Sequence, residues 1–191
     1  ASNLTRYAAI DLFRRFRSVQ GFPLLALVFN FLDILAHGRS QSDILQEIAP
    51  DESAFRSLMG SWFRHSALFD ILKVLAKQGA AVVVTSDHGS VHCRRSSLVH
   101  GNRSTSTGIR YKYGDNLGCD EKQTVKVVKP GSWRLPPGSR TKNYIFAREN
   151  YYFVYPTNFH EYEQRYLGSF QHGGLSMEEV IVPCAVLDPK P

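Results

Sequence analysis

The chain has 191 residues, of which 43% are hydrophobic, and a formal net charge of +6. This hydrophobic content is above that of disordered chains and predicts a globular domain with a core. The longest apolar stretch, residues 22–36, falls short of the roughly 18 uninterrupted residues of a membrane helix, because Pro23, Asn30 and Asp33 interrupt it. We therefore expect no membrane insertion.

The N-terminus and the cysteines favour a reducing, cytoplasmic location. Residues 1–7 lack the basic-then-apolar pattern of a secretory signal. Cys93, Cys119 and Cys184 are an odd number of cysteines and include no C-x-x-C pair. We interpret them as ordinary thiols, since structural zinc sites show closely spaced pairs of cysteines.

Two apolar segments open the chain. Apolar residues recur at helical spacing over residues 4–19, which predicts an amphipathic helix that ends at Gly21 and Pro23. Residues 24–31 are almost continuously apolar, which predicts a strand buried on both faces in a parallel or mixed sheet. Asp33 then follows the end of this predicted strand.

The next segments predict the fold class. Residues 53–77 have the spacing of one long helix or two short ones, with Gly79 as the stop signal. Residues 80–85 read as a strand that runs directly into the polar sequence 86–89. The order of strand, helix and strand, with polar residues at strand ends, is typical of an α/β fold. We predict a doubly wound, mostly parallel sheet with helices on both faces and ligands beyond its carboxyl edge.

A basic excursion occupies about residues 90–142. It loses periodicity, and we predict only short strands at 110–113 and 124–128. Between Arg94 and Lys142 there are eleven Lys or Arg residues and three acidic ones. Such a stretch attracts polyanions, but a solvated loop with surplus lysines would look the same.

The C-terminal third predicts further short elements. Residues 144–147 and 151–155 read as a hairpin, and residues 158–166 as a helix. Ser176 and Glu179 have the spacing of a capping box that opens a short turn. Residues 180–187 read as a last strand that Pro183 interrupts.

Three groups of metal-ligand residue types stand at strand ends or in turns. They are Asp33 with His37, the adjacent pair Asp87 and His88, and His172 before two glycines. Asp33 and His37 are four residues apart, so both face the same way if a helical turn begins there. Two oxygen and three nitrogen donors suit zinc, or manganese as an alternative, better than magnesium or calcium.

Each group also has a simpler interpretation. Asp33 and Asp87 are suited to capping turns, and the histidines are compatible with surface loops. His88 and His92 show the i, i+4 spacing of helical zinc ligands, although Gly89 and the preceding strand argue against a helix there. His65 lies in a helical pattern and is interpreted as packed or exposed, whereas the sequence assigns no role to His100 and His160.

The order of these motifs resembles a known superfamily. The sequences D-x-x-x-H at 33–37, TSDHG at 85–89 and QHGG at 171–174 resemble the metal-binding signatures of the alkaline phosphatase superfamily. The tail, QHGGLSMEEVIVPCAVL, resembles the end of PglZ domains. Residues 24–189 are similar to the effector domain of PorX-type response regulators, which join a phosphate-receiver domain to a PglZ domain and control type nine (type IX) protein secretion.

The resemblance implies specific metal ligands. It makes Asp33, His37 and His172 the ligands of one zinc ion, and Asp87 with His88 the ligands of a second. In the superfamily, a further aspartate and a Thr or Ser nucleophile lie on an earlier strand, and no such pair precedes Leu24. We therefore expect residues 1–191 to be the C-terminal part of a PglZ domain, with the nucleophile upstream of residue 1 and the isolated chain inactive.

The resemblance also implies an activity and partners. It implies a zinc-dependent phosphodiesterase or phosphatase, the effector domain of a two-component response regulator, that acts on short linear or cyclic oligonucleotides. Homodimerisation and a secretion or transcription regulatory protein as partner are also implied. Two alternatives remain open: a metal-stabilised dimerisation or docking module without catalysis, and a nucleic-acid-binding domain that uses the basic stretch. The candidate phosphate contacts are Arg94, Arg95, Arg103, Arg110 and Lys112.

Overall fold

The computed structural model describes residues 24–39, 42–101 and 106–189. The helix predicted over residues 4–19, with its stop at Gly21 and Pro23, lies outside these residues, as does Arg103. Six α-helices, one 3-10 helix (Pro130–Trp133) and ten strands occur in the described part. The helices are α1 (Phe31–Arg39), α2 (Asp43–Ile48), α3 (Glu52–Arg64), α4 (Ala67–Lys77), α5 (Phe159–Tyr166) and α6 (Met177–Val180). The strands are β1 (Val82–Thr85), β2 (Val91–His92), β3 (Arg95–His100), β4 (Tyr111–Asp115), β5 (Gly118–Cys119), β6 (Thr124–Val127), β7 (Lys142–Ala147), β8 (Tyr151–Val154), β9 (Phe170–Gln171) and β10 (Cys184–Leu187).

The described residues form two compact units. The first unit contains the described residues 24–34, 48–85 and 183–189. The second unit contains residues 35–47 and 86–182. Helices α3 and α4 and strands β1 and β10 therefore belong to the first unit, and strands β2 to β9 belong to the second.

The helical segment of the first unit consists of two helices. The Asp51 carboxylate caps α3 by accepting from the Ala54 N–H at 2.8 Å, and the Ser66 hydroxyl caps α4. Gly79 adopts φ +71°, and the bond from the Ala80 N–H to the Leu75 carbonyl closes the end of α4. The structure thus confirms the two-helix form of the prediction and the stop at Gly79.

Strand β1 confirms the predicted strand at 80–85 over its last four residues. It pairs with β10 in antiparallel register, with Val82 opposite Leu187 and Thr85 opposite Cys184. Of the six strand pairs in the described residues, only the pair of β3 and β8 is parallel. The mixture of helices and strands confirms the α/β class, but a doubly wound, mostly parallel sheet is not confirmed.

The strand predicted over residues 24–31 is wrong. Residues 24–29 have no regular structure, and Phe31 already begins helix α1. Leu24 and Val28 are 85% and 83% exposed, so this run is not covered on two faces. An apolar run alone does not distinguish a buried strand from other segments, because a strand also needs neighbouring strands to pair with. Asp33 consequently lies in the first turn of α1, where a carboxylate interacts favourably with the helix dipole.

The second unit is built on two three-stranded sheets. In one sheet, β7 lies between β4 and β6, and all its pairs are antiparallel. In the other, β3 lies between β5 and β8. One buried cluster contains Val99, Leu117, Ile145, Ala147 and Phe153, and another contains Val91, Cys93, Tyr152 and Val154.

The hairpin predicted between residues 144–147 and 151–155 is wrong, although both strands exist. Strand β8 leaves β7 and pairs in parallel with β3, with Arg95 opposite Tyr151. The Arg110 side chain donates to the carbonyls of Glu149 and Tyr151, so these acceptors are used by a side chain at the turn. Local sequence does not reveal this competing donor.

The basic excursion is folded more extensively than predicted. The strands expected at 110–113 and 124–128 correspond to β4 and β6, but β2, β3 and β5 were not predicted. Helix α5 confirms the helix expected at 158–166. The Glu179 carboxylate accepts from the Ser176 N–H at 3.0 Å, as the capping box predicts. Residues 180–182 do not extend the last strand, which begins at Cys184.

The three cysteines are free thiols in this structure. Burial raises the pKa of Cys93 to about 12, so its thiol stays protonated at neutral pH. Within the ranges given above, none of the helices has the length and apolar character that crossing a membrane requires.

Candidate metal centre

Three histidines from separate parts of the sequence meet in the second unit. The Nε2 atoms of His37 and His172 are 3.1 Å apart. The rings of His88 and His172 are stacked, with their centroids 3.7 Å apart and their planes inclined by 16°. The structure thus brings together all three histidines that the sequence predicts as ligands.

Strand pairing explains why His88 and His172 are neighbours. Strands β2 and β9 pair in antiparallel register, with Val91 opposite Gln171. His172 directly follows β9, and His88 lies three residues before β2, so both leave this small ladder at the same end. Helix α1 supplies His37, which lies four residues after Asp33, a residue in the first turn of the helix.

The fourth predicted ligand of this group is Asp33. It lies one helical turn before His37 on α1, as the i, i+4 spacing predicts. Within the second unit, the candidate metal site consists of the three histidines, and Asp33 stays a ligand predicted from the sequence.

One pair of donor atoms has the spacing of two ligands of one zinc ion. Two nitrogens bound to one tetrahedral zinc at 2.0–2.1 Å would be about 3.3 Å apart, and the Nε2 atoms of His37 and His172 are 3.1 Å apart. Imidazole nitrogens with a carboxylate are also a ligand set that zinc accepts.

The protonation of His88 suits metal binding. Its Nδ1 lies 3.0 Å from the Gly89 carbonyl oxygen, which can only accept a hydrogen bond. Nδ1 therefore carries the proton in the neutral ring, and Nε2 keeps the lone pair that binds metal. A backbone carbonyl that orients a ligating histidine in this way is common around zinc.

The Oδ1 atom of Asp87 lies 3.8 Å from the Nε2 atom of His88. The Asp87 side chain is 89% exposed, and its carboxylate accepts from the backbone N–H of His88 at 3.1 Å. His88 thus lies beside both Asp87 and His172, and the second ion that it was predicted to bind with Asp87 stays a prediction. His92 lies in strand β2, where its Nε2 donates to the Gly168 carbonyl, so the rival helical pairing with His88 does not occur.

The exposed arginines among the predicted phosphate contacts lie on the surface of the second unit. Arg94 donates to His92, and Arg95 donates to Asn150 and forms an ion pair with Glu149. Both stay predictions as phosphate contacts.

Arg110 is a correction to the sequence prediction. It is fully buried, and its guanidinium donates to both oxygens of Glu179, at 2.8 and 2.6 Å. It also donates to the carbonyls of Glu149 and Tyr151. These contacts occupy the guanidinium inside the protein, so Arg110 is not placed to meet a substrate.

Lys112 is a second correction, because it is only 2% exposed. Its ammonium lies 4.5 Å from the centre of the Tyr155 ring and donates to the Ser106 carbonyl at 3.3 Å. Burial lowers the pKa of Lys112 to about 8. A surface lysine that grips a substrate would not show these features.

We expect Lys112→Met to stabilise the chain at pH 7. The folded-state pKa of Lys112, about 8, lies below the ordinary lysine pKa. At pH values between these two, the unfolded state binds more protons than the folded state. The wild-type free energy of unfolding should therefore rise from pH 8 to about pH 10.4, and Lys112→Met should remove that rise. At pH 7 the variant should gain ~1–3 kcal/mol, because it no longer buries a charge.

Urea unfolding at several pH values checks this expectation, with the exposed Lys129→Met as the control. A Lys112→Met variant that follows the wild-type pH dependence would contradict the buried-charge interpretation.

Sequence reasoning missed the residues that connect the ligand-bearing loops. Glu179 was predicted only as part of a capping box, yet its carboxylate also accepts from the Gly174 N–H at 2.8 Å. Its carbonyl accepts from the Gly89 N–H at 2.9 Å. The glycines after His88 and His172 were the available signal, since a glycine beside a ligand can mark close backbone contact.

Residues 8–187 match the family model described as the BREX system PglZ alkaline phosphatase-like domain. The chain therefore belongs to the PglZ family, which confirms the family part of the resemblance. A comparison with curated proteins gave no match.

Proposed function

We propose that this chain provides the zinc-binding part of a metal-dependent phosphoesterase. The observation that supports this proposal is the close approach of His37, His88 and His172, with Asp33 on the same helix as His37. Membership of an alkaline-phosphatase-like family makes phosphate-ester chemistry the activity that fits this site.

Four residues of this chain are proposed as ligands of the zinc ion. Asp33, His37, His88 and His172 would hold zinc, and Asp87 stays a predicted ligand of a second ion. When bound, zinc supplies Lewis acidity that neutralises phosphate charge and lowers the pKa of a hydroxyl or water nucleophile. The Gly89 carbonyl orients the His88 ring, and Asp33 supplies a negative charge that compensates the cation. We propose no residue of this chain as the nucleophile.

The proposed biological setting is that of a PorX-type response regulator. The similarity of residues 24–189 to that effector domain supports short linear or cyclic oligonucleotides as substrates and a role in type nine secretion. Arg94 and Arg95 are the described surface cations proposed to contact substrate phosphates. Manganese is the alternative metal.

The test replaces His172 by alanine in the full-length protein, with His160→Ala as the matched control. His160 is an exposed histidine at the start of α5, away from the three-histidine group in sequence and contacts. We expect His172→Ala to lose more than ~100-fold in zinc affinity, beyond the 10–100-fold effect of residues behind the ligands. Hydrolysis of bis(p-nitrophenyl) phosphate and of a dinucleotide should fall with it.

Zinc content by mass spectrometry and hydrolysis rates decide the matter. His160→Ala should match the wild type in both. Full zinc content and full turnover in His172→Ala would place the chemistry elsewhere.

A second candidate is a docking or dimerisation module without turnover, and one observation favours it. Strands β1 and β10 expose apolar side chains, with Val83 at 61% and Val186 at 64% exposure. Single exposed apolar residues are normal, but a strand pair that exposes several is typical of an interaction surface. A full-length protein that binds zinc, does not hydrolyse phosphodiesters and loses self-association on Val186→Asp would support this candidate.

A further inference from the structure

Glu179 is a buried residue that contacts the loop after His172 through its carboxylate and the loop after His88 through its backbone carbonyl. It is 3% exposed. Its Oε1 accepts from the Gly174 N–H at 2.8 Å, and its Oε2 accepts from the Ser176 N–H at 3.0 Å. Its backbone carbonyl accepts from the Gly89 N–H at 2.9 Å. Gly174 lies two residues after His172, and Gly89 directly follows His88, so a single residue restrains the backbone beside two proposed ligands.

The two glycines show how close these contacts are. A Cβ atom on Gly174 would lie 2.7 Å from both the Glu179 carboxylate and the Arg110 guanidinium. A Cβ atom on Gly89 would lie 1.9 Å from the backbone oxygen of Glu178. Real Cβ contacts are not this short, so both loops approach the start of α6 in a way that only glycine permits.

Arg110 holds the carboxylate in place from the opposite side. Its Nε donates to Oε1 at 2.8 Å and its Nη2 donates to Oε2 at 2.6 Å. Each carboxylate oxygen therefore accepts one bond from Arg110 and one from a loop N–H. Such a two-point pair fixes the plane of the carboxylate as well as its distance.

We propose that Glu179, held by Arg110, is a positioning residue that sets the spacing of His88 and His172 at the metal site. This inference rests on the proposed function, because it assumes that these histidines bind zinc. Glu179 acts through the loop backbones and does not itself contact the metal. It belongs to the groups behind the ligands whose loss weakens metal binding 10–100-fold.

Glu179→Gln removes the carboxylate but keeps the shape of the side chain. Glutamine has nearly the same size, but it replaces one acceptor oxygen by an NH₂ group, which only donates. Both oxygen positions of Glu179 face two N–H donors, so the NH₂ group meets donors in either orientation. The loop whose N–H group faces the new NH₂ group should therefore lose its hydrogen bond, while the volume of the side chain stays nearly the same.

The experiment measures zinc affinity of the purified chain by competition with a chromophoric chelator. Val99→Ala is the control, because Val99 is fully buried in the sheet core and its removal costs stability without altering the Glu179 contacts. Both variants are compared at a temperature at which both are folded. We expect a ~10–100-fold loss of zinc affinity for Glu179→Gln and less than ~3-fold for Val99→Ala, which keeps the ligand loops intact. The visible spectrum of the cobalt-substituted chain should change only for Glu179→Gln, since it reports the ligand geometry.

The outcomes separate this inference from the proposed function. A wild-type chain that does not bind zinc overturns both. A wild-type chain that binds zinc, beside a Glu179→Gln variant of equal affinity and unchanged cobalt spectrum, overturns the positioning role alone. Equal losses in Glu179→Gln and Val99→Ala also overturn it, because a general loss of stability would then explain them. If Glu179→Gln does not fold, Arg110→Lys replaces it: lysine cannot donate to both oxygens in the same plane, and unchanged zinc affinity in that variant overturns the inference.

Discussion

Arg110→Ala is expected to lower the free energy of unfolding by about 3–5 kcal/mol, because it leaves the buried Glu179 without its counter-charge. The ion pair is 0% exposed on the arginine side and 2% on the glutamate side. The carbonyls of Glu149 and Tyr151 would lose a donor at the same time. A loss of this size is a large part of the 5–15 kcal/mol that stabilises a typical domain.

The ionisation of Glu179 adds to this expectation. Burial alone would raise the pKa of Glu179, but the hydrogen bonds and charge of Arg110, with the N–H groups of Gly174 and Ser176, hold it below its usual value. Because the folded-state pKa is lowered, the pair stabilises the fold above the ordinary glutamate pKa and loses that contribution as the pH falls through the folded-state value. Without Arg110, the largest influence that lowers the pKa of Glu179 is gone. The free energy of unfolding should then no longer fall at acid pH because of Glu179.

Urea unfolding of the purified chain checks the prediction, with Arg94→Ala as the control. Arg94 is exposed, and its side chain donates to His92, so its loss should cost no more than ~1 kcal/mol. The double variant Arg110→Met with Glu179→Leu should recover much of the stability, because it removes both charges. An Arg110→Ala variant as stable as Arg94→Ala would contradict the structural role of this pair.

The ligand residues could be predicted from sequence because short motifs carry them. Asp33 and His37 have the spacing of one helix turn, and the histidines at 88 and 172 adjoin glycines in turns. Each motif is short, so it can be recognised even where the neighbouring helices or strands are predicted wrongly. Asp33 lies in the first turn of a helix although the preceding strand prediction was wrong.

The grouping of these residues and the roles of the cations could not be predicted from the sequence. A cation in a basic, irregular stretch suggests exposure, yet Arg110 is buried because Glu179, 69 residues later, pairs with it. Strand direction is similarly non-local: β1 pairs with β10 about a hundred residues away, and β8 pairs with β3 instead of β7. Long-range partners of this kind leave no periodic pattern in the segment itself.

Gly89→Ala is expected to be strongly destabilising and to displace His88. The added Cβ would lie 1.9 Å from the Glu178 backbone oxygen, which is not the end of a flexible side chain and cannot rotate away. The loop must therefore move by more than ~1 Å to reach ordinary contact distance, which breaks the Gly89 N–H bond to the Glu179 carbonyl. We expect a loss of at least ~2 kcal/mol and a parallel loss of zinc affinity.

Gly131→Ala is the matched control for this last variant, because a Cβ atom at Gly131 meets nothing within 4 Å and its φ is not in the left-handed region. The change should stay within about ±0.5 kcal/mol of the wild type, as other exposed substitutions do. Both variants add a single methyl group, so any difference between them comes from the position. Urea unfolding gives the stability difference, and chelator competition gives the zinc affinity of the folded variants. If Gly89→Ala behaves like Gly131→Ala in both measurements, the close contact between the His88 loop and α6 is not needed for the site.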